Sequence, residues 1–219
     1  MFALVEILPL DEPAMQAFIA QWSAAIYCEA PEKSIKHRQD LGEALRSRPE
    51  IRRMARTPVM LTALAVVHWN ETRLPEQRFE LYESILTWLL RARKERPGRL
   101  KAETCRLLLQ KLALVMFTLA EGRARLITLD RAAELLAPHV KATEERGPKQ
   151  QADYFLRDEM VDSGIIVKRD NSLEFWHLSF QEYLAAYEIA GRVEEEQEKL
   201  LFDLERVFSP EWRETVLLL

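Results

Sequence analysis

Glycine scarcity constrains this chain most: 219 residues contain only six. So few positions free to adopt left-handed backbone leave little room for a turn-rich β fold. Apolar residues recur at intervals of three and four, so the chain is predicted to be mainly α-helical. Because 48% of the residues are hydrophobic, a core can form and disorder is excluded. Thirty-one Lys and Arg against thirty-five Asp and Glu give a formal charge of −4. That balance supplies no whole-chain attraction to nucleic acid or anionic lipid, so any basic partner surface has to be local. Cys28 and Cys105 have no Cys or His two to four residues away, which is neither a zinc pattern nor a disulfide framework. A reducing cytoplasm is the expected setting. The longest uncharged stretch, Thr57 to Asn70, has fourteen residues, short of the roughly 20 that cross a bilayer. It is predicted to be a buried helix, no membrane association is expected, and Glu6, Pro9 and Asp11 rule out a secretory leader.

Along the chain, Ala3 to Leu8 is predicted to be a short strand ended by Pro9. It has no partner nearby, as if it belonged to a larger sheet. Asp11 or Glu12 can open a helix with Phe18, Ile19, Trp22 and Ile26 on one face. Further helices are expected over Ser34 to Ser47 and from Pro58, the latter carrying Met60, Leu61, Leu64, Ala65 and Val67. A fourth covers Gln77 to Lys94, with Leu81, Ile85, Trp88 and Leu89 inward. Arg91 to Lys101 holds Pro97 and Gly98 and is the expected linker. The domain reading is therefore a residual strand at 1–10, a helical domain at 11–96, a second domain at 97–192 and a further helical region at 193–219.

The second domain has its own grammar. A helix from Ala102 to Ala120 precedes an extended piece at Leu126 to Thr128, a helix from Asp130 to Ala137 and another from Lys149 to Asp162 that stops at Gly164. Two β-rich runs follow, Ile165 to Lys168 and Leu173 to His177, joined by Asp170, Asn171 and Ser172. Helix, strand, helix, helix, strand, turn, strand is the order of a winged helix. Ser179 with Glu182 is predicted to form a capping box opening a helix from Phe180 to Gly191. An acidic helix from Glu194 to Phe208 and a last one from Pro210 complete the chain. The fold class is mainly α: a helical bundle, then a winged helix with a small β-hairpin wing.

A DNA-reading winged helix needs a basic recognition helix. Lys149 and Arg157 stand here against Asp153, Asp158, Glu159 and Asp162, a net of −2, and those acids repel phosphates. A transcription regulator is the alternative reading, and nucleic acid is not expected as a partner. Eight basic residues lie between Lys33 and Arg56, and six between Arg91 and Lys101. Such stretches are ordinarily solvated helix faces, with an anion site or a contact with the acidic C-terminal helix as the other readings. No Gly is followed by Lys, so the phosphate-cradling G-x-x-x-x-G-K-[ST] loop is missing. Pro9 argues against a magnesium-binding strand ending at Asp11 and Glu12. Cys28 and His37 suggest a thiol and a base but lack a third group. No catalytic residue and no metal ligand is expected. His177 shares a strand face with Leu173 and Phe175 and stands beside the Ser179 cap. It is either a donor at a helix-terminal anion site or a core histidine bonded to backbone.

The run Phe175 to Ala186, F-W-H-L-S-F-Q-E-Y-L-A-A, resembles the winged-helix signature of NACHT-type (STAND) signal-transduction NTPases. Thr57-Pro58-Val59-Met60-Leu61 resembles the family's N-P-L-M-L segment, with Thr and Val at the places of Asn and Leu. Leu74-Pro75 with Arg78, Leu81 and Tyr82 resembles its L-P-x-x-R-x-x-L-Y, and Ile7-Leu8-Pro9-Leu10 resembles the exit of its nucleotide-domain strand. The resemblance implies a middle fragment of a multidomain NACHT ATPase: the first helical domain, the winged helix and the start of a C-terminal sensor. It implies Walker elements upstream, ADP or ATP with Mg bound only in the full-length parent, and homo-oligomers on activation, with defence as one setting. In such proteins Pro58 would abut adenine and His177 would contact the β-phosphate of ADP.

Overall fold

The computed structural model describes residues 8–91, 99–119, 124–202 and 206–219. The expected strand before Leu8 and the core of the expected linker, 92–98, lie outside the described residues. The chain divides into two compact units, 1–85 and 86–219.

In the first unit, proline starts the helices. Pro31, Pro49 and Pro58 each occupy the first position of α2 (Pro31–Ser47), α3 (Pro49–Met54) and α4 (Pro58–Glu71), and Pro13 sits in the first turn of α1 (Glu12–Ile26). A proline there sacrifices no hydrogen bond, because the first-turn N–H groups lack helical partners. Asp11 caps α1 by accepting from Ala14 N–H at 2.9 Å. Thr57 caps α4 by accepting from Met60 N–H at 3.3 Å. α4 is apolar all round, with Met60, Leu61, Ala63, Leu64, Ala65, Val66 and Val67 buried, so it is the centre of its unit, packed by α1 and α2. That satisfies the expectation for residues 57–70. On α1 the buried positions are Met15, Ile19 and Ser23, while Phe18, Trp22 and Ile26 are only half-buried. Ile19 is seated as predicted, but the face otherwise lies one position on from the Phe18-Trp22-Ile26 row because α2 covers the side that carries Ser23.

α5 (Arg78–Arg91) spans the division between the units. Leu81, Tyr82, Ile85, Leu86 and Leu90 are its buried residues. Trp88, expected inward, is 38% exposed, because the stripe passes through Leu86 and Leu90.

The second unit is a winged helix. α6 (Ala102–Thr118) leads to β1 (Ile127–Thr128) and α7 (Leu129–Leu136). The third helix starts as α8 (Pro148–Tyr154), continues as a π-helical stretch over Phe155–Met160 and ends in α9 (Val161–Ser163). β2 (Ile166–Arg169) and β3 (Ser172–Phe175) form the hairpin, and the sheet order is β1-β3-β2, all antiparallel. Leu173 faces both Ile127 and Lys168, which places β3 in the middle. Asp170 takes the left-handed turn position, which Asp tolerates better than most residues.

The third helix was expected to be regular from Lys149 to Asp162. Its π stretch changes which residues share a face: Phe155, Leu156 and Met160 are all fully buried, and a five-residue spacing is aligned only where the turn is widened. Gly164 ends the helix at φ +72. Gly164→Ala has room for its Cβ but must hold a left-handed backbone, so it is expected to lose about 1 to 2 kcal/mol. Urea denaturation checks this, and an unchanged midpoint would refute the strained-turn account. α10 (Leu178–Ala190) packs along α6, and α11 (Glu194–Phe202), a 3-10 turn at Arg206–Phe208 and α12 (Arg213–Leu217) close the chain.

Candidate functional site

α10 carries the signature run. Phe180, Gln181, Glu182, Tyr183, Leu184, Ala185 and Ala186 are all buried. Gln181 Nε2 donates to the Ala124 carbonyl at 3.1 Å, tying α10 to the segment after α6. Glu188, also buried, accepts from Lys111 of α6 at 2.5 Å and from Arg192 at 3.3 Å. A desolvated carboxylate needs such partners, so this knot fixes α10 on α6. Most of the signature is therefore packing.

His177 is different. The expected capping box on Ser179 is replaced: β3 ends at Phe175, His177 is itself the N-cap of α10, and Ser179 lies inside the first turn. His177 Nδ1 accepts from Ser179 N–H at 3.2 Å. Because that partner is a donor, Nδ1 carries no proton, and the neutral ring holds its proton on Nε2. Burial pushes the His177 pKa down, which favours the same neutral form. The ring stands edge-on to Phe180 at 6.3 Å between centroids and is half-buried. Its Nε2 makes no hydrogen bond to a described residue. The backbone-bonded histidine and the available N–H donor are thus one and the same residue.

Pro58 belongs to the first unit, where it is exposed at the first position of α4. Thr57, at the place of the family's Asn, caps α4 through Met60 N–H. His37, the imagined base for Cys28, is engaged with Ser23 instead, Oγ to Nδ1 at 2.8 Å.

The third helix of the winged domain offers little positive charge. Lys149 is held by Asp130 at 2.7 Å and Glu134 at 3.1 Å, and those carboxylates push its pKa up. Arg157 pairs with Asp153 at 2.7 Å, Arg146 lies over the Tyr154 ring, and Arg169 of the wing pairs with Glu174. Among the described residues no three His, Cys, Asp or Glu are grouped to hold a metal, and no helix is long and apolar enough to cross a membrane.

The family model of the winged helix-turn-helix domain C-terminal to NACHT matches residues 61–189. The chain belongs to this NACHT-associated winged-helix family. The match takes in the whole winged helix through α10, including His177, and begins three residues after Pro58. Comparison with curated proteins gave no match. In this NACHT-associated winged helix, His177 was marked by its place beside the Ser179 turn and by the resemblance of the run Phe175 to Ala186. Its capping role was hidden because histidine is not among the usual N-cap types. The Lys111–Glu188 contact, 77 positions apart, left no local trace.

Proposed function

We propose that the chain is the regulatory module of a NACHT ATPase, with a NACHT domain in the same polypeptide, and that its winged helix latches the ADP-bound state. One observation carries this reading: a NACHT-associated winged helix presents, at the start of α10, a neutral imidazole with Nδ1 tied to backbone and Nε2–H left to donate. An N–H at a helix N-terminus suits a phosphate oxygen, since the helix's own first-turn N–H groups favour the same charge. Pro58 supplies a rigid apolar edge for adenine. ADP or ATP with Mg would be held by the NACHT domain, residues 193–219 would lead into a C-terminal sensor, and loss of the latch would permit oligomerisation and signalling. Two cysteines with no zinc-ligand or disulfide-framework spacing suit a cytoplasmic setting. ADP retention by the polypeptide carrying the NACHT domain, with His177 intact or replaced, tests the reading.

The alternative, a DNA reader, makes the opposite demand on the third helix. The carboxylates already holding Lys149 and Arg157 would have to give them up to phosphates. Binding to duplex DNA at 150 mM salt is therefore expected to be weak and independent of sequence, in the range of non-specific association, about 10⁻⁴ to 10⁻⁶ M. Fluorescence anisotropy on random and selected duplexes measures it. A selected sequence bound below micromolar concentration would replace the latch reading with a regulator.

A further inference from the structure

The first unit buries a pair of imidazoles that the proposed function does not use. His37 of α2 and His68 in the last turn of α4 are 5% and 4% exposed. Their rings meet edge to face with centroids 4.7 Å apart. Ser23 of α1, fully buried, holds His37 Nδ1, so three helices converge on the pair. His37 Nε2 and His68 Nδ1 are buried without a hydrogen-bond partner. Two polar atoms in that state oppose the packing around them. Beside the pair lies a cleft of about 280 Å³, lined by both rings with Tyr27, Lys33, Lys36, Asp40 and Thr72. Positions 33, 36, 37 and 40 share one face of α2 by helical spacing.

A protonated ring carries N–H on both nitrogens, so charging either one leaves a buried N–H without an acceptor, at Nε2 of His37 or Nδ1 of His68, and two charged rings this close repel. The cleft offers the way out, because it has space for a turned side chain and holds the exposed carboxylate of Asp40. We propose that the cluster is a proton-operated latch: protonated His68 swings into the cleft toward Asp40, and α2 comes away from α1 and α4. The titratable and charged groups facing the pair are Tyr27 after α1 and Lys33, Lys36 and Asp40 on α2; α4 adds the uncharged Thr72 at its end. Asp40 favours the charged ring and the lysines oppose it.

Burial, then the neighbouring His37, lowers the His68 pKa from 6.5 to about 4. A folded-state value below the ordinary one means that the stabilisation is complete above pH 6.5 and is lost as pH falls from there toward 4. Over that interval the closed-to-open ratio changes by about 300-fold, a factor of ten per pKa unit.

The test uses the whole chain, with histidine ring NMR and amide hydrogen exchange followed from pH 7.5 to 4. We expect His68 to titrate well below 6 and exchange of α2 amides, corrected for its intrinsic rate, to rise about 100-fold or more, with α6 and α10 unaffected. Asp40→Asn, at an exposed position, should move the opening to lower pH. His68→Gln cannot take up the proton and should flatten the pH dependence, whatever its stability at pH 7. A His68 titrating near 6.5 with α2 protected throughout would overturn the latch. So would acid opening that persists unchanged in His68→Gln.

Discussion

Replacing His177 by Asn in the polypeptide that carries the NACHT domain is expected to speed ADP release by roughly 10- to 150-fold. A hydrogen bond to a charged phosphate contributes about 1.5 to 3 kcal/mol, and each 1.4 kcal/mol is a factor of ten. The fold should survive, because Asn is among the best N-cap residues and its side-chain oxygen can accept from Ser179 N–H as Nδ1 does now. His177→Ala loses both functions. It should release ADP as fast as His177→Asn, and it should also lower the stability of the chain by about 0.5 to 2 kcal/mol through the missing cap. Comparing the two variants therefore separates the phosphate contact from the cap, which Ala alone cannot do. ADP dissociation at the unmodified rate in well-folded His177→Asn would end the latch reading and leave His177 as a helix cap.

Phe180→Ala should be the most damaging single change to the winged helix, at about 3 to 5 kcal/mol. Phe180 is fully buried on α10, stacked against Trp176 at 6.1 Å and edge-on to His177. Removing it empties a site that α10, packed along α6 and pinned by the Lys111–Glu188 contact, cannot readily collapse to fill. Against a total stability of about 5 to 15 kcal/mol, such a loss brings the fold near its threshold. Trp88→Ala, which removes a larger but exposed side chain, should cost well under that. Urea denaturation followed by circular dichroism measures both. A larger loss for Trp88 than for Phe180 would contradict the packing described for α5 and α10.

His177 also shows what residue type alone misses at the start of a helix. The residue stood out because it lies between a strand and a helix, but Ser179 looked like the better cap by residue type. The chain instead ends β3 at Phe175, two residues early, and the imidazole reaches the Ser179 N–H. Whichever side chain comes within reach of the first-turn N–H groups caps the helix, and that depends on where the preceding strand leaves its sheet.

The sequence by itself determined the elements and their order. Helical periodicity, prolines at helix starts and the turn at Asp170 act within about four residues, so they are legible without a fold. The winged-helix order followed from them, and the signature run was legible as a family resemblance. The tertiary structure decided which faces are buried and which polar groups meet. Neither the pairing of His37 with His68, 31 positions apart by sequence number, nor that of Lys111 with Glu188 follows from any local pattern. The π stretch at Phe155–Met160 was likewise invisible, since it seats Phe155, Leu156 and Met160 together in a core that only the surrounding helices and sheet define. Local signals specify backbone conformation through neighbouring residues. Contacts between distant residues depend on how whole elements pack, and such a contact, His37 against His68, underlies the proton latch, whereas the His177 tautomer is set locally by Ser179.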